Sequence, residues 1–139
     1  MVEIIAYDAV HFDGVRNLWE TVFPGDPPYN RAEVAIPEKL KTQGELFFVA
    51  LLDGAVIGTT MAGYDGHRGW LYSVAVHPDH QRGGVGSQLL RAAEAKLVEM
   101  GCGKINLQIR AGNDAVAAFY GRHGYAVEER ISMGKRFTR

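Results

Sequence analysis

A cluster of glycines between two apolar runs is the first feature of this sequence whose residue types and spacing suit chemistry. The stretch from His77 to Leu90 is HPDHQRGGVGSQLL, which contains Gly83, Gly84 and Gly86. Glycines ahead of a helix let backbone N–H groups approach a ligand closely, and the usual ligand is a phosphate. The stretch therefore predicts a phosphate-binding loop, with a plain tight turn into a helix as the alternative.

Two well-known phosphate-binding motifs do not fit these glycines. A Walker loop has the pattern G-x-x-x-x-G-K-[ST], and no lysine follows a glycine at that spacing here. A dinucleotide fingerprint has the pattern G-x-G-x-x-G; Gly84 and Gly86 begin it, but Leu89 occupies the place of the third glycine. A strand–loop–helix element that cradles a pyrophosphate with backbone amides is the interpretation that is left.

The elements that must position this loop follow from hydrophobic periodicity and from turn residues. Asp53-Gly54 between two β-rich runs predicts a type I′ hairpin turn, and Asn113 predicts a helix N-cap. In chain order the predicted elements are a strand Val2–Tyr7, a helix within 11–23, a weak helix Arg31–Gln43 interrupted by Pro37, strands 46–52 and 55–63, a strand Trp70–Val76, a helix from Val85 to the Gly101 stop, a strand Lys104–Arg110, a helix that begins after Asn113 and ends at Gly124, and one or two closing strands within 125–137.

Composition limits the class of protein. The 139 residues are 47% hydrophobic and 22% charged with a net charge of −1, so they predict one globular domain over residues 1–139 and no broad attraction to nucleic acid or anionic membrane. The order of the predicted strands and helices makes this an α/β (α+β) domain. Cys102 is the only cysteine, and no basic signal segment or long apolar span is present, which predicts a cytoplasmic protein. His77, Asp79 and His80 are interrupted by Pro78, so no metal site is predicted.

Two stretches of the chain resemble signatures of the GCN5-related N-acetyltransferase (GNAT) family. Q-R-G-G-V-G-S after V-A-V-H-P resembles the family's acyl-CoA loop, [QR]-x-x-G-x-[GA], and N-D-A-V-A-A-F-Y-G-R-H-G-Y resembles its second signature, an asparagine opening a helix that ends F-Y-x-x-x-G-[FY]. The resemblance is strongest from Leu46 to Tyr125, and M-A-G-Y-D-G-H-R-G-W and S-M-G-K-R-F look like its short bacterial YpeA-type branch. It implies a mixed, mostly antiparallel central sheet flanked by helices, with acetyl-CoA as co-substrate.

The resemblance also implies roles for particular residues. Main-chain groups of the strand ending VAV are expected to contact the pantetheine arm of acetyl-CoA, and the glycine loop is expected to contact its pyrophosphate. Asn113 is also expected to contact the pantetheine arm, although a role as helix N-cap explains that asparagine equally well. Arg122 is left between a contact with the 3′-phosphate and a solvated position. The expected cofactor-binding residues are Val74, Ala75, Val76, Gln81, Arg82, Gly83, Gly84, Val85, Gly86, Ser87, Asn113 and Tyr120.

Tyr120 is the one catalytic residue that the resemblance implies. An amine that attacks a thioester expels a thiolate, and a phenol within hydrogen-bond reach can return a proton to the sulfur. Val116, Phe119, Tyr120 and His123 also form a helical stripe, so a purely structural aromatic role is the alternative. The developing oxyanion is expected to accept a hydrogen bond from a backbone N–H near Val74. No general base is assigned, because the strand WLYSVAV lacks the glutamate of many relatives; Asp65, His67 and Tyr72 are candidates.

Three functions follow from these features. The first is transfer of an acetyl group from acetyl-CoA to a primary amine, with an acceptor pocket expected from residues 19–29 and 64–68. The second is a catalytically silent acyl-CoA-binding or regulatory module on the same fold, and the third is a nucleotide-binding module. The acceptor itself is not identified, and a homodimer is expected only because dimers are common among the proteins that this chain resembles.

Overall fold

The computed structural model describes residues 1–137, and its first 107 residues are organised around one twisted sheet. The strands are β1 (Val2–Ala6), β2 (Phe47–Leu52), β3 (Ala55–Tyr64), β4 (Gly69–Val76) and β5 (Ile105–Leu107). The helices are α1 (Phe12–Val22), α2 (Ala32–Lys41), α3 (Val85–Glu99) and α4 (Asp114–Arg122). Short 3₁₀ turns connect several of them, among them Pro28–Asn30 and Pro78–His80.

The chain divides into two compact units, one of residues 1–107 and one that begins at Gln108. The first unit holds all five strands in the order β1-β2-β3-β4-β5 together with α1, α2 and α3. Neighbouring strands are antiparallel from β1 to β4, and β5 is parallel to β4. The predicted mixed, mostly antiparallel sheet flanked by helices is confirmed. The second unit contains α4 and the described residues up to 137.

The hairpin of β2 and β3 forms as its turn residues predict. Leu52 pairs with Ala55 across the two-residue turn, and Asp53 and Gly54 both have positive φ, +51° and +81°. These signs are those of a type I′ turn, whose twist matches that of the flanking strands. The hairpin forms the centre of the sheet and sets the register of the strand that follows.

Two apolar cores cover the two faces of the sheet, because alternate side chains of a strand point to opposite faces. Val49 of β2 lies in the core beneath α1 and α2, and the next residue, Ala50, lies in the core beneath α3. The apolar residues of α3 that recur at helical spacing form its buried face, and all five are at most 4% exposed: Val85, Leu89, Leu90, Ala93 and Leu97.

The second helix continues through a proline that was expected to interrupt it. Pro37 lies inside α2 with its side chain exposed, while Ile36 beside it is 1% exposed and packs in the core. A proline removes one intrahelical hydrogen bond, and on a solvated face water replaces that bond. Burial of the opposite face of α2 therefore outweighs the proline.

The predictions for the C-terminal segment are partly wrong. Of the expected strand over 104–110, only Ile105–Leu107 pairs with β4. The closing strands expected within 125–137 are absent from those residues, and Val127, Ile131, Met133 and Phe137 are each more than 80% exposed. Alternating apolar residues form a strand only where a neighbouring strand supplies the hydrogen-bond ladder, and the alternation alone does not identify such a neighbour.

Candidate functional site

The fourth strand has two halves with different neighbours. Gly69, Trp70 and Leu71 pair with β5, whereas within residues 1–107 the edge of β4 from Tyr72 to Val76 has β3 on one side and no strand on the other. An edge of this kind presents main-chain N–H and C=O groups to an added extended chain. The second half of β4 therefore has the geometry to bind an extended ligand through backbone atoms.

A β-bulge lies within the second half of β4, directly after Tyr72. Met61 pairs with Tyr72 and Thr59 with Ala75, so Ser73 and Val74 stand opposite the single residue Thr60. Ser73 has a φ of +50°, in the left-handed region that side-chain-bearing residues rarely adopt. Bulges bend a strand and re-aim its backbone groups, and they are frequent beside active sites.

A hydrogen-bond chain from the first helix holds this bulge. The indole Nε1 of Trp19 donates to Thr59 Oγ1 at 2.9 Å, and Thr59 Oγ1 donates to the carbonyl oxygen of Ser73 at 3.0 Å. Trp19 and Thr59 are 4% and 0% exposed, so this chain is shielded from water. Sequence reasoning missed the bulge, because no glycine marks it and its support comes from a residue that is distant in sequence.

The side chains after the bulge pack as an ordinary strand. Ala75 is 2% exposed, and Val74 and Val76 are half-buried. The side chains of Ala75 and Val76 pack in the two cores, which leaves the backbone atoms of these residues as the groups available along the strand edge.

The residues between β4 and the glycine loop form a short turn of their own. Nδ1 of His77 accepts a hydrogen bond from the backbone N–H of Asp79 at 3.2 Å and caps the 3₁₀ turn Pro78–His80. Gln81 Nε2 donates to the carbonyl oxygen of Val76 at 3.2 Å, so the loop is tied back to the end of β4. Within residues 1–137, no group of three or more His, Cys, Asp or Glu side chains is arranged to hold a metal ion.

The glycine loop turns directly into α3. Gly84 is the N-cap of α3 with a φ of +80°, a conformation that favours glycine. Gly83 has no positive φ, and a Cβ built on it would meet nothing closer than the carbonyl oxygen of His80 at 3.8 Å. Neither backbone strain nor packing against the described chain therefore requires a glycine at position 83.

The uncrowded Gly83 directly precedes the N-cap of α3, and the start of a helix favours an anion. The first backbone N–H groups of a helix have no intrahelical acceptor, and the helix dipole favours negative charge there. Val85 is 2% exposed and anchors the loop, whereas the side chain of Arg82 is exposed beside it. Gly86 and Ser87, half-buried in the first turn, complete the predicted loop of residues 81–87.

Two of the expected site residues belong to the second unit. Asn113 caps α4, because its side chain accepts a hydrogen bond from the backbone N–H of Val116 at 3.4 Å, which confirms the predicted N-cap. Tyr120 is 6% exposed, and the ring of Tyr125 contacts it edge to face at 5.6 Å between centroids. Burial raises the pKa of Tyr120 to about 12, so this phenol remains protonated at neutral pH.

The turn between β3 and β4 contains two of the candidate bases. Asp65 accepts hydrogen bonds from the backbone N–H groups of His67 and Arg68, each at 2.7 Å. These bonds lower the pKa of Asp65, which makes its carboxylate a weaker base. The side chain of Asp65 therefore serves the turn.

A cavity of about 330 Å³ lies elsewhere in the first unit. It is lined by α1, by the turn between β2 and β3, and by His77. The segments expected to form the acceptor pocket, 19–29 and 64–68, contribute only Thr21 to its lining. The predicted position of the acceptor pocket stays a prediction.

None of the described helices is long and apolar enough to cross a membrane.

Comparison with known families places this geometry in context. Residues 12–125 match the model of the acetyltransferase (GNAT) family, a range that includes both the glycine loop and α4. An acetyltransferase of Yersinia enterocolitica is 40% identical to this chain over 137 residues, which cover 97% of this chain and 95% of that protein.

Solved structures share the fold at lower identity. The aminoglycoside N-acetyltransferase AAC(6′)-Iy, in complex with a bisubstrate analogue that contains coenzyme A, superposes with a TM-score of 0.82 at 21% identity, covering 99% of each chain. The PaiA N-acetyltransferase of Thermoplasma acidophilum, in complex with coenzyme A, gives a TM-score of 0.79 at 20% identity, covering 94% of this chain and 93% of that one.

Proposed function

Because the chain belongs to the acetyltransferase (GNAT) family, we propose that it transfers the acetyl group of acetyl-CoA directly to a primary amine. The observation that carries this proposal is the start of α3, where Gly83 is uncrowded and follows the half of β4 that has no second strand neighbour. Proteins of the same fold bind coenzyme A or an analogue that contains it, which supports acetyl-CoA as the co-substrate.

The two features of this site are proposed to hold different parts of acetyl-CoA. The pantetheine arm lies along the edge of β4 and exchanges hydrogen bonds with main-chain groups of Val74, Ala75 and Val76, as an added strand does. The pyrophosphate lies at the start of α3, within reach of the Arg82 side chain and the backbone N–H groups of Gly83 to Ser87. Gln81, which is bonded to Val76, holds the loop at the end of the strand.

The bulge in β4 is proposed to lie beside the reacting carbonyl group of acetyl-CoA. An extra residue in a bulge stands outside the regular ladder, so a backbone N–H near Val74 is proposed to donate a hydrogen bond to the oxyanion that forms when the amine attacks. The amine nitrogen forms a bond to the carbonyl carbon, and the carbon–sulfur bond then breaks. The nitrogen loses a proton and the thiolate gains one, so no residue of the chain needs to become acetylated.

Tyr120 is proposed to donate a hydrogen bond to the leaving sulfur. With a pKa of about 12 its phenol is protonated at every working pH, which suits a hydrogen-bond donor. Complete proton transfer to a thiolate with a pKa of roughly 8.5 is uphill from so weak an acid. We therefore assign Tyr120 the role of donor or relay, with the proton that ends on sulfur originating from the attacking amine.

The proposal treats residues 1–139 as one acetyltransferase domain. The family match runs from residue 12 to residue 125 and spans both compact units, which supports a single domain.

Asn113 is proposed to contact the cofactor arm in addition to capping α4. A cytoplasmic location is proposed on the basis of this co-substrate, and homodimer formation stays a prediction that sedimentation equilibrium tests.

Calorimetric titration with acetyl-CoA, with ATP and NAD as competing ligands, tests the co-substrate. Selective binding of acetyl-CoA is expected, and the R82A variant should bind it several-fold more weakly, with a larger difference at low salt because the contact is electrostatic. R91A, which removes an exposed arginine from the body of α3, is the matched control and should bind as the wild type does.

A panel of primary amines with a free-thiol readout then tests transfer. Steady release of coenzyme A that depends on one of these amines supports the proposed reaction. A folded protein that does not bind acetyl-CoA overturns the proposal as a whole. Selective binding without turnover of any amine overturns the enzymatic part and assigns the chain to the silent acyl-CoA-binding class.

A further inference from the structure

Lys39 is buried in a way that none of the other charged side chains of residues 1–137 is. It lies in the last turn of α2 and is only 6% exposed. Removing an ammonium group from water is unfavourable, and this burial lowers the pKa of Lys39 to about 8. An apolar side chain at this position would fill the same space without that penalty, so the amino group calls for an explanation in terms of what it contacts.

The contacts of the Lys39 amino group are a main-chain oxygen and an aromatic ring. Nζ donates a hydrogen bond to the carbonyl oxygen of Ala62 in β3 and lies 5.2 Å from the ring centroid of Tyr72 in β4. The charge of Glu45 raises the pKa of Lys39 and so partly opposes the effect of burial, but none of the carboxylates in residues 1–137 forms an ion pair with Nζ. The ring of Tyr72 is thus the side chain on which the ammonium acts.

Tyr72 connects this buried charge to the candidate site. It is the residue immediately before the bulge at Ser73 and Val74, and it is 42% exposed. A Cβ on Gly63 would lie 3.7 Å both from its phenolic oxygen and from Oε1 of Gln43, so ring and amide enclose the space that this glycine leaves. Gln43 is itself fixed by paired hydrogen bonds with the backbone of Tyr64, both at 2.8 Å.

We propose that Lys39 is a positioning residue that fixes the ring of Tyr72 so that its phenol contacts the incoming acceptor amine beside the bulge. The inference rests on the proposed acetyl transfer and extends it to the acceptor side of β4. Lys39 acts through Tyr72, because at 6% exposure its amino group is shielded from a bound substrate. The cation attracts the electron-rich face of the ring, and the Ala62 carbonyl fixes the cation in turn.

This arrangement gives the reaction a distinctive dependence on pH. Below about pH 8 Lys39 is charged and holds the ring, and as the pH rises through its pKa this attraction is lost. Glu45 and Tyr72 are the ionisable groups that act on Lys39 or contact it, and burial raises the pKa of Tyr72, so its phenol stays neutral through this range. The contribution of Lys39 therefore declines on the alkaline side, where deprotonation of the acceptor itself favours attack.

The test compares K39M, which keeps the volume of the side chain, with K41M, which removes an exposed lysine from the same helix. kcat and KM are measured for the amine and for acetyl-CoA from about pH 6 to about pH 10. K39M is expected to lower kcat/KM for the amine about tenfold at neutral pH while KM for acetyl-CoA is unchanged, and to approach the wild type at the alkaline end. K39R, which remains charged, should recover part of the loss and keep it at high pH. K41M should match the wild type throughout.

A double-mutant cycle separates positioning from a general effect on folding. If Lys39 acts through Tyr72, K39M should cause almost no further loss in a Y72L background, while thermal melts of all variants remain cooperative. The positioning role is overturned if the losses in kcat/KM caused by K39M and Y72L multiply in the double variant. It is also overturned if K39M leaves kcat/KM for the amine unchanged in an active protein. Both outcomes leave the proposed transfer intact. A wild type that binds acetyl-CoA but acetylates no amine overturns the proposed transfer, and the role of Lys39 fails with it.

Discussion

Glycines stand at both ends of the β4 region, but their surroundings differ. Gly69, which pairs with β5, is enclosed: a Cβ on it would lie 2.8 Å from Cys102 Sγ and 3.1 Å from Leu97 Cδ1. At Gly83, beyond the other end, a Cβ would meet nothing closer than the carbonyl oxygen of His80 at 3.8 Å. Packing requires the glycine at position 69, whereas nothing in the described chain requires one at position 83, where the pyrophosphate is proposed to bind.

Substitution of the enclosed glycine should have the largest effect on stability. G69A is expected to lower the free energy of unfolding by about 1–3 kcal/mol, because the added methyl group overpacks the contact with Cys102. Urea denaturation measures this loss, and calorimetry should give an unchanged affinity for acetyl-CoA. The G69A/C102A double variant should recover part of the stability by removing the sulfur. A G69A protein of normal stability but weakened affinity would reverse the assignment of the two glycines.

Lys39 of α2, whose amino group lies over the ring of Tyr72, is a buried charge that serves as a second test of packing. Its pKa is lowered to about 8, so between that pH and its unfolded value the unfolded chain binds more protons, and stability should rise with pH. Relative to K39M, the wild type should gain on the order of 2 kcal/mol across this window. Chemical denaturation at a series of pH values measures the difference. Parallel pH profiles for the two proteins would mean that the folded state does not lower this pKa.

The open glycine should show the reverse pattern. G83A is expected to weaken binding of acetyl-CoA about tenfold, or about 1.4 kcal/mol, because its methyl group occupies the space proposed for the pyrophosphate. The free energy of unfolding should change by less than about 0.5 kcal/mol. G103A is the matched control, since a Cβ there meets nothing within 4 Å and one on Gly83 meets nothing closer than 3.8 Å, but position 103 lies outside the loop. Equal affinities for G83A and G103A would contradict the ligand-serving role.

Asn113 combines the two kinds of requirement in one residue and should give the smallest effects. N113A removes the cap of α4 and should lower the free energy of unfolding by about 1 kcal/mol, whereas N113S keeps a capping oxygen and should retain most of it. If the side chain also contacts the cofactor arm, N113S should still weaken acetyl-CoA binding a few-fold. Calorimetry and thermal melts of the two variants measure the two roles independently.

Local sequence signals predicted much of this fold, because the relevant interactions are local. Asp53-Gly54 encodes the positive φ values of its turn, Asn113 encodes a cap, and the period of α3 identifies its buried face. The glycine loop was predicted in the same way. Each of these features depends on residues within a few positions of one another.

Features that depend on distant partners were not predicted. The bulge at Ser73 is supported by Thr59 and Trp19, and the burial of Lys39 depends on β3 and β4 closing over α2. The strands expected after Tyr125 failed for the related reason that alternation does not specify a pairing partner. Strand register and tertiary contacts, rather than hydrophobic periodicity, determine whether such features form.

The hydrogen-bond chain that holds the bulge also gives the protein an optical reporter. The protein contains two tryptophans: Trp70 is 39% exposed, whereas Trp19 is buried with its indole N–H bonded to Thr59 Oγ1. Replacing Trp70 with phenylalanine leaves one fluorophore, joined through a single hydroxyl group to the carbonyl oxygen of Ser73. Its emission should respond to any ligand that displaces the bulge, so the occupancy of this strand edge can be followed in solution without a label.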